Sequence, residues 1–197
     1  MKLGFLASHG GSNMQAILDA CQSGAIAAKP SLLICNNPKA NAIERAKKAG
    51  MPAKVVNAKT HPEEDARDSA ILDALQKAEV ELIILAGYMK KIGPKVLTAY
   101  SNRILNVHPA LLPKFGGQGM YGMNVHKAVI AAGETESGPT IHLIDSEYDE
   151  GPILSQAKVP VYQNDTSEAL HERVLQKEHT LYPETIAKIV NGEIALP

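Results

Sequence analysis

In the first half of the chain, short apolar runs alternate with segments that repeat apolar residues every three to four positions. Such runs are typical of buried strands, and the longer period is typical of amphipathic helices. The runs predict strands at 2–7, 31–35, 53–56, 82–86 and from 104 onward. The periodic segments predict helices at 14–23, 41–49, 60–78 and 94–99. This alternation indicates a parallel sheet with right-handed crossovers, and Thr60 with Glu63 predicts a capping box for the third helix.

The pattern changes after residue 113. Residues 114–124 contain four glycines and no apolar period, which predicts a mobile loop. The later elements are predicted as a helix at 125–132, strands at 139–144 and 153–161, and a helix from 165 to 192 that Pro183 kinks or interrupts. The acidic turn at 145–151 suits a hairpin. The fold class predicted is therefore α/β, a Rossmann-like open, mostly parallel sheet with helices on both faces, mixed near the C-terminal half, in a single domain of residues 1–197.

The composition and charge of the chain limit the kinds of partner that we expect it to bind. The net charge is -1, aromatic residues make up 4%, and tryptophan is absent, so neither a basic stripe nor a base-stacking platform for nucleic acid is indicated. No apolar run reaches the length of a membrane span, and the N-terminus does not have the pattern of a signal peptide. Cys21 and Cys35 lack a CxxC spacing and are interpreted as reduced structural thiols. We therefore expect a cytoplasmic protein that binds neither nucleic acid nor a membrane.

Two polar side chains interrupt the strand that begins at residue 104. Asn106 and His108 are two residues apart, so they point to the same face of the strand, and Pro109 and Pro113 force the chain out of regular structure just beyond. The carboxyl ends of parallel strands are where open α/β sheets bind ligands. Taken alone, the pair also fits a core asparagine and a capping histidine.

A glycine-containing loop at 8–13 follows the first strand and precedes a helix. Successive N–H groups there, with the helix N-terminus, favour an anion, and Ser12 offers a hydroxyl to phosphate. Equally, Ser12 and Gln15 could form a capping box. The loop is neither GxGxxG nor a Walker loop, and Asn36 and Asn37 stand where a dinucleotide ribose would need an acid. A single phosphate is favoured over NAD.

The acidic turn offers four carboxylates as partners for His108: Asp145, Glu147, Asp149 and Glu150. We favour Asp149 because Gly151 and Pro152 restrict the chain beside it, although a charged turn is usually solvated. An asparagine, a histidine and an aspartate together would support acyl transfer without a protein nucleophile. The seven histidines are scattered and form no metal motif, and His142, in mid-strand, is interpreted as a core residue. No metal is expected.

Four motifs carry a family resemblance over nearly the whole length: GGSNMQA at 10–16, LAGYM at 85–89, LNVHPALLP at 105–113 and DEGP at 149–152. With them, the chain resembles the glycinamide ribonucleotide formyltransferases (phosphoribosylglycinamide formyltransferases) of the formyltetrahydrofolate-using superfamily. The third motif is shared with formyltetrahydrofolate deformylases, and the first indicates the nucleotide-using branch. The resemblance implies formyl transfer from 10-formyltetrahydrofolate to the amine of glycinamide ribonucleotide, in purine biosynthesis.

The resemblance also implies residue roles. The catalytic residues would be Asn106, His108 and Asp149. Glycinamide ribonucleotide would be bound by Gly11, Ser12, Asn13, Leu175, Gln176, Lys177 and Glu178. The folate would be bound by Glu64, Met89, Lys90, Lys91, Ile92, Asn106, Asp145, Ser146, Glu147, Tyr148 and Asp149. Residues 1–100 would form the nucleotide-phosphate half and residues 101–197 the catalytic and folate half, and a homodimer is left open.

Three positions depart from the family pattern. Glu64 stands where better-known members carry an arginine that meets the folate tail, and Arg67 is the nearby substitute. Lys90 and Lys91 replace an Arg-Ile pair. The loop at 115–124 is longer and richer in glycine than the familiar form, and we interpret it as a lid. Two alternatives remain: a deformylase, in which water attacks the formyl group, and a non-catalytic nucleotide- or folate-binding module.

Overall fold

The computed structural model describes residues 1–145 and 147–197. Its strands are β1 Lys2–Ala7, β2 Lys29–Cys35, β3 Ala53–Val55, β4 Leu82–Leu85, β5 Ile104–His108, β6 Glu136–Ser137, β7 Thr140–Leu143, β8 Ile153–Gln156 and β9 Val159–Pro160. Its helices are α1 Ser12–Gln22, α2 Asn41–Lys48, α3 Glu64–Lys77, α4 Pro94–Ala99, α5 Met123–Ala131 and α6 Ser167–Val190.

The main sheet has seven strands in the order β3-β2-β1-β4-β5-β7-β8. Strands β1 to β5 pair in parallel, whereas β7 pairs antiparallel with both β5 and β8. The predicted fold class is therefore confirmed, including the hairpin that makes the sheet mixed. Because β1 to β5 are parallel, their carboxyl ends meet at one edge, where the loops 8–13, 86–93 and 109–122 leave the sheet.

Helices cover both faces of this sheet, and each face has its own core. Along β1, Leu3, Phe5 and Ala7 pack on the face covered by α1, α2 and α6, whereas Leu6 packs on the face covered by α3 and α4. The alternation follows from the two-residue period of a strand. A third cluster, which includes Val129 and Val174, joins α5 to α6 behind the loop 109–122.

Two of the helices, α3 and α6, were predicted to start too early. Helix α3 begins at Glu64 and has no side-chain cap, because the Thr60 hydroxyl is occupied by the N–H of Asn57 at 2.9 Å. Helix α6 begins after Thr166, whose hydroxyl accepts from the N–H of Ala169 at 3.2 Å, while Asp165 pairs with Arg173 instead. In both cases the side chain at the predicted start is engaged elsewhere, that of Thr60 by a backbone N–H and that of Asp165 by Arg173.

The prediction for residues 153–161 was also wrong, since this stretch forms two strands. Strand β9 leaves the main sheet after Ala157 and pairs with β6 in a separate two-stranded sheet. Gly138 permits the crossing, because a Cβ there would lie 1.8 Å from the carbonyl oxygen of Ala157. Pro183 lies inside α6 without ending it. Tyr182 and Ile186 on either side are fully buried, so packing against the sheet outweighs one missing backbone hydrogen bond.

Candidate active site

The end of β5 brings Asn106 and His108 to the edge of the sheet, as predicted. His108 is 3% exposed, and its Nδ1 lies 3.5 Å from Oδ2 of Asp149. Asp149 is the one of the four turn acids that reaches His108 among the described contacts, and it does so with a left-handed backbone (φ 60°). The sequence therefore placed the pair correctly, although the roles of its members stay predictions.

The other ring nitrogen of His108 is also engaged. Nε2 lies 2.7 Å from the carbonyl oxygen of Phe115. Because a carbonyl can only accept, Nε2 carries a proton, and Nδ1 is the nitrogen that gains or loses one. The titrating position of His108 thus faces Asp149.

His142 was interpreted as a core residue, and it is buried, but it also contacts Asn106 and Asp149. It is fully buried, and its Nδ1 donates to the carbonyl of Leu143 at 2.9 Å, which leaves Nε2 as an acceptor. Nε2 lies 3.1 Å from Nδ2 of Asn106 and 3.6 Å from Oδ1 of Asp149. Register explains the contact, since Asn106 is paired with His142 across β5 and β7. This arrangement leaves the second N–H of the Asn106 amide free to meet a ligand.

Burial decides the charge on both histidines. It lowers the pKa of His108 below its ordinary value, and Asp149 and the Phe115 carbonyl partly offset that effect. Burial lowers the pKa of His142 in the same way, with Asp149 again opposing it. In the free chain the neutral imidazoles are favoured. A carboxylate beside an imidazole raises its pKa, as Asp149 does here, but burial has the larger effect on the pKa of both rings.

A cavity of about 120 Å³ opens beside this cluster. It is lined by Leu85, Tyr88, Lys90, Lys91, Ile92, Asn106, Ile144, Asp145, Glu147, Tyr148 and Asp149. Most of the residues predicted to bind folate therefore share one pocket, which joins the loop after β4 to the turn after β7. Met89 and Glu64 lie outside the lining, and Ser146 lies outside the described residues.

Buried Ser8 was not singled out by the sequence, yet it shapes this pocket. Its hydroxyl accepts the N–H of Met89 at 2.8 Å, which ties the loop after β4 to the end of β1. Lys91 lies 5.6 Å from the ring centre of Tyr148, so the two walls of the pocket meet at its mouth. Lys90 and Lys91 thus line this pocket at the positions where the family pattern has an Arg-Ile pair.

Arg67, predicted as the nearby substitute for an arginine at position 64, contacts its own helix and the loop before it, and its role as a substitute stays a prediction. Its guanidinium lies 3.5 Å from the carboxylate of Glu64 and donates to the carbonyl of His61 at 2.9 Å. Glu64 is almost fully exposed. The charge of Arg67 is thus already offset within its own helix and the loop before it.

In the segment 8–13, the loop itself ends at Gly11, which adopts the left-handed region (φ 68°) and precedes α1. Ser12 is the first helical residue, and no side chain caps the helix. The capping-box alternative for Ser12 and Gln15 is therefore wrong, because the Gln15 side chain bonds to Arg45 and Asp19 instead. The first N–H groups of α1 remain available to an anion.

Behind this loop, Glu178 on α6 is 7% exposed and accepts from Nδ2 of Asn13 at 2.6 Å. Burial raises the pKa of Glu178 to about 7, and the bond to Asn13 opposes the shift. The Oδ1 of Asn13 is buried without a protein partner among the described residues. The structure thus brings Asn13 and Glu178 together, while Leu175 is half-buried and Gln176 and Lys177 are exposed on the same turn of α6.

The described residues contain no group of three His, Cys, Asp or Glu side chains placed to hold a metal ion. Within the same residues, no helix has the length and apolar composition that crossing a membrane requires.

The Formyl transferase family model matches residues 1–186. The chain belongs to the formyl transferase family. Enzymes of this family use formyltetrahydrofolate as co-substrate. A phosphoribosylglycinamide formyltransferase of Haemophilus influenzae is 40% identical over 195 residues, covering 99% of this chain and 90% of its own. The chloroplastic phosphoribosylglycinamide formyltransferase of Arabidopsis thaliana is 44% identical over 98% of this chain, which spans 66% of that relative's length.

Solved structures of the family agree. A glycinamide ribonucleotide transformylase of Symbiobacterium toebii superposes with a TM-score of 0.93 at 38% identity, over 100% of this chain and 91% of its own. A formyltetrahydrofolate deformylase of Pseudomonas syringae superposes with a TM-score of 0.88 at 18% identity, over 100% of this chain and 63% of its own, which shows a shared fold alone. The resemblance found in the sequence is confirmed, and it favours the nucleotide-using branch.

Proposed function

We propose that this chain transfers a formyl group from 10-formyltetrahydrofolate to the amine of glycinamide ribonucleotide, a step of purine biosynthesis. One observation carries the proposal: a carboxylate, Asp149, lies between two imidazoles, and it lines the pocket after β4 together with Asn106. Such a set can hold a developing oxyanion and move a proton. It needs no protein nucleophile, because the substrate amine is one.

The two substrates would meet at the carboxyl edge of the sheet, the nucleotide at the loop after β1 and the folate in the pocket between the loops after β4 and β7. The open N–H groups of α1 suit the phosphate of the ribonucleotide, and Asn13 with Glu178 suits the polar groups next to it. The pocket between Ile92 and Tyr148 suits a flat ring system with polar edges, because apolar and aromatic residues line it together with polar and charged ones. We therefore place the nucleotide phosphate on residues 1–100 and the formyl group on residues 101–197.

In the proposed reaction, the amine nitrogen attacks the formyl carbon, a C–N bond forms, and the formyl oxygen becomes negatively charged. The free N–H of Asn106 and the Nδ1–H of protonated His108 donate to that oxygen. A donor of this kind contributes roughly 2.7–4 kcal/mol in other enzymes. Asp149 stabilises the charged imidazole, which burial alone disfavours.

The adduct then collapses. The bond from the former formyl carbon to N10 of the folate breaks, and the proton lost by the amine reaches N10 through His108 or Asp149. One proton leaves the amine and one arrives at the folate, so no oxidant, reductant or metal is required. Holding both substrates on one sheet edge supplies the remaining advantage, because it makes the attack intramolecular.

The test follows tetrahydrofolate formation from 10-formyltetrahydrofolate with and without glycinamide ribonucleotide. We expect formation only with the nucleotide, and loss of it in folded His108→Gln. Formate release without the nucleotide would show a deformylase instead. Tight binding of either ligand without turnover would show a binding module.

We further expect only these two small molecules as partners, with neither nucleic acid nor a membrane taking part. A cytoplasmic location stays a prediction. Whether the chain pairs into a homodimer is to be settled by measuring its mass in solution.

A further inference from the structure

Three consecutive residues of the loop after β5 hold both members of the catalytic pair by their backbone. The carbonyl of Phe115 accepts from Nε2 of His108 at 2.7 Å. The N–H of Gly117 donates to Oδ2 of Asp149 at 3.0 Å. That same oxygen faces Nδ1 of His108 at 3.5 Å, so the segment 115–117 closes a ring of contacts around the pair. We call this segment the backbone clamp.

The clamp has an unusual backbone. Phe115 adopts the left-handed region (φ 56°), which costs a non-glycine residue roughly 1–2 kcal/mol, and Gly117 lies at φ 92°. These two conformations turn one carbonyl and one N–H of neighbouring peptides toward the same site. Strain kept at such a place needs support from the surrounding structure.

That support comes from the sheet. The N–H of Leu112 donates to the hydroxyl of Thr140 at 3.1 Å, and its carbonyl accepts from the Gln156 amide at 2.9 Å. Leu112 in turn leaves no room for a side chain at position 116, because a Cβ on Gly116 would lie 2.6 Å from its Cδ2 and 3.2 Å from Cβ of Asp149. Gly116 is therefore the residue that lets the chain pass between Leu112 and Asp149.

The clamp has a chemical consequence. A neutral imidazole that is free to choose divides its proton between two nitrogens, and only the form with the proton on Nε2 presents a basic Nδ1 to Asp149. The Phe115 carbonyl selects that form. The Gly117 N–H occupies one lone pair of Asp149 and so fixes how the carboxylate faces the ring.

We propose that the backbone clamp is a positioning element for the reaction, that it sets the tautomer of His108 and the orientation of Asp149, and that Gly116 is required for it. Its catalytic meaning rests on the proposed formyl transfer. The clamp also shortens the predicted lid, because residues 115–117 of that segment already contact His108 and Asp149 in the free chain. Closure over substrates then belongs to residues 118–122.

The test is Gly116→Ala, with Thr135→Ala as a control at an exposed residue after α5, outside the proposed site. In Gly116→Ala we expect kcat to fall roughly 100-fold, as a misplacement of about 1 Å does, with both KM values within threefold. Leu112→Val removes the atom nearest to the new Cβ, so adding it to Gly116→Ala should recover much of the lost kcat. Thr135→Ala should keep the wild-type kcat.

The second readout is ¹⁵N NMR of His108, which needs no substrate. Wild type should show the proton on Nε2 in the neutral form, and Gly116→Ala should show a mixture of tautomers and a lower His108 pKa, because the Phe115 carbonyl raises it. The other titratable groups near His108 are Asp149, His142 and His126, and all three remain in these variants.

The outcomes separate the two proposals. An Nδ1-protonated His108 in wild type would overturn the clamp even if Gly116→Ala fails to fold. So would an unchanged tautomer and kcat in folded Gly116→Ala. If wild type shows no nucleotide-dependent formyl transfer, the proposed function fails, and the NMR result still decides whether the clamp sets the tautomer.

Discussion

The molecule has two glycine-containing loops at the same edge of its sheet, and they use their backbone groups in opposite ways. In the loop 8–13, the carbonyls of His9 and Gly10 are occupied by α2, through the N–H of Ala42 at 3.1 Å and Nε of Arg45 at 2.9 Å. The N–H groups that follow are left for a ligand. In the loop 114–122, a carbonyl and an N–H are instead occupied by His108 and Asp149.

Glycine allows a close approach of the backbone in each loop, but to a different neighbour. Gly11 brings the chain against α2, since a Cβ there would lie 2.9 Å from Cβ of Ala42. Gly116 brings the chain against Asp149. In the proposed function, the first loop would receive the nucleotide phosphate and the second would position the side chains that act on the formyl group. Each of the following predictions perturbs one of the two regions.

The largest effect is expected at Asp149. Asp149→Asn keeps the shape of the side chain but removes its charge, so protonated His108 loses its partner and the pKa of His108 should fall further. We expect kcat to drop roughly 100- to 10,000-fold, the range for general acid–base groups, with KM for the folate nearly unchanged. Glu150→Gln, an exposed neighbour in the same turn, should cost under about tenfold. Equal losses in the two variants would show that only the overall charge of the turn matters.

The loop 8–13 is tested by Ser12→Asp. The new carboxylate would lie at the first turn of α1, where the phosphate is proposed to bind, and like charges in contact cost several kcal/mol. We expect KM for glycinamide ribonucleotide to rise roughly 100-fold while KM for the folate stays within about threefold. Ser101→Asp, at an exposed position after α4, serves as the control. A parallel rise in both KM values would mean that the loop is only a turn.

The helix that follows the second loop should make the protein sensitive to acid. His126 on α5 is fully buried, and burial, with His171 and His108 nearby, lowers its pKa to about 4. Because the unfolded state binds the proton more readily, stability from this group is complete above about pH 6.5 and is lost as pH falls toward 4.

His126→Gln should therefore reduce the loss of unfolding free energy between pH 7.5 and 4.5 by up to about 3 kcal/mol, as measured by urea titration. His61→Gln, in the loop before α3, is the matched control and should leave that pH dependence in place. If His126→Gln leaves the pH dependence unchanged, His126 is not the group that makes the protein sensitive to acid.

The first region should respond to pH in the opposite direction. The pKa of Glu178 is raised to about 7, so its stability contribution is greatest below the unfolded value near 4.5 and is lost as pH rises through 7. Glu178→Gln should gain unfolding free energy relative to wild type by about 1–3 kcal/mol between pH 5 and pH 8. Its KM for the nucleotide should rise at the same time. A difference from wild type that stays constant with pH would contradict a buried titrating carboxyl.

The smallest effect concerns the outer part of the second loop. Hydrogen exchange of the amides at 118–122 should slow when both substrates are bound, whereas the Gly117 amide should be protected already in the free protein. Equal protection of residues 118–122 with and without substrates would rule out a lid there.

The central features of the site could be predicted from neighbouring residues in the sequence. The two-residue spacing of Asn106 and His108 put both side chains on one face of a strand, and the glycines of the loop 8–13 predicted an open helix N-terminus. Helix starts were predicted less reliably where a polar side chain has more than one possible partner, as at Thr60 and Asp165. The family resemblance supplied the residues predicted to bind folate, most of which line one pocket in the structure.

The alternation of strands and helices, the mixed sheet and the polar side chains at its carboxyl edge could be predicted from the sequence, because periodicity and turn residues act over a few positions. Only the tertiary structure decided that His142 meets Asn106, that Glu178 lies against Asn13, and that Phe115 and Gly117 hold His108 and Asp149. These contacts depend on strand register, on the close approach at Gly116 and on packing between distant segments. Burial, which sets the charge of His108, His126 and Glu178, is likewise a property of the packed chain and not of any residue within it.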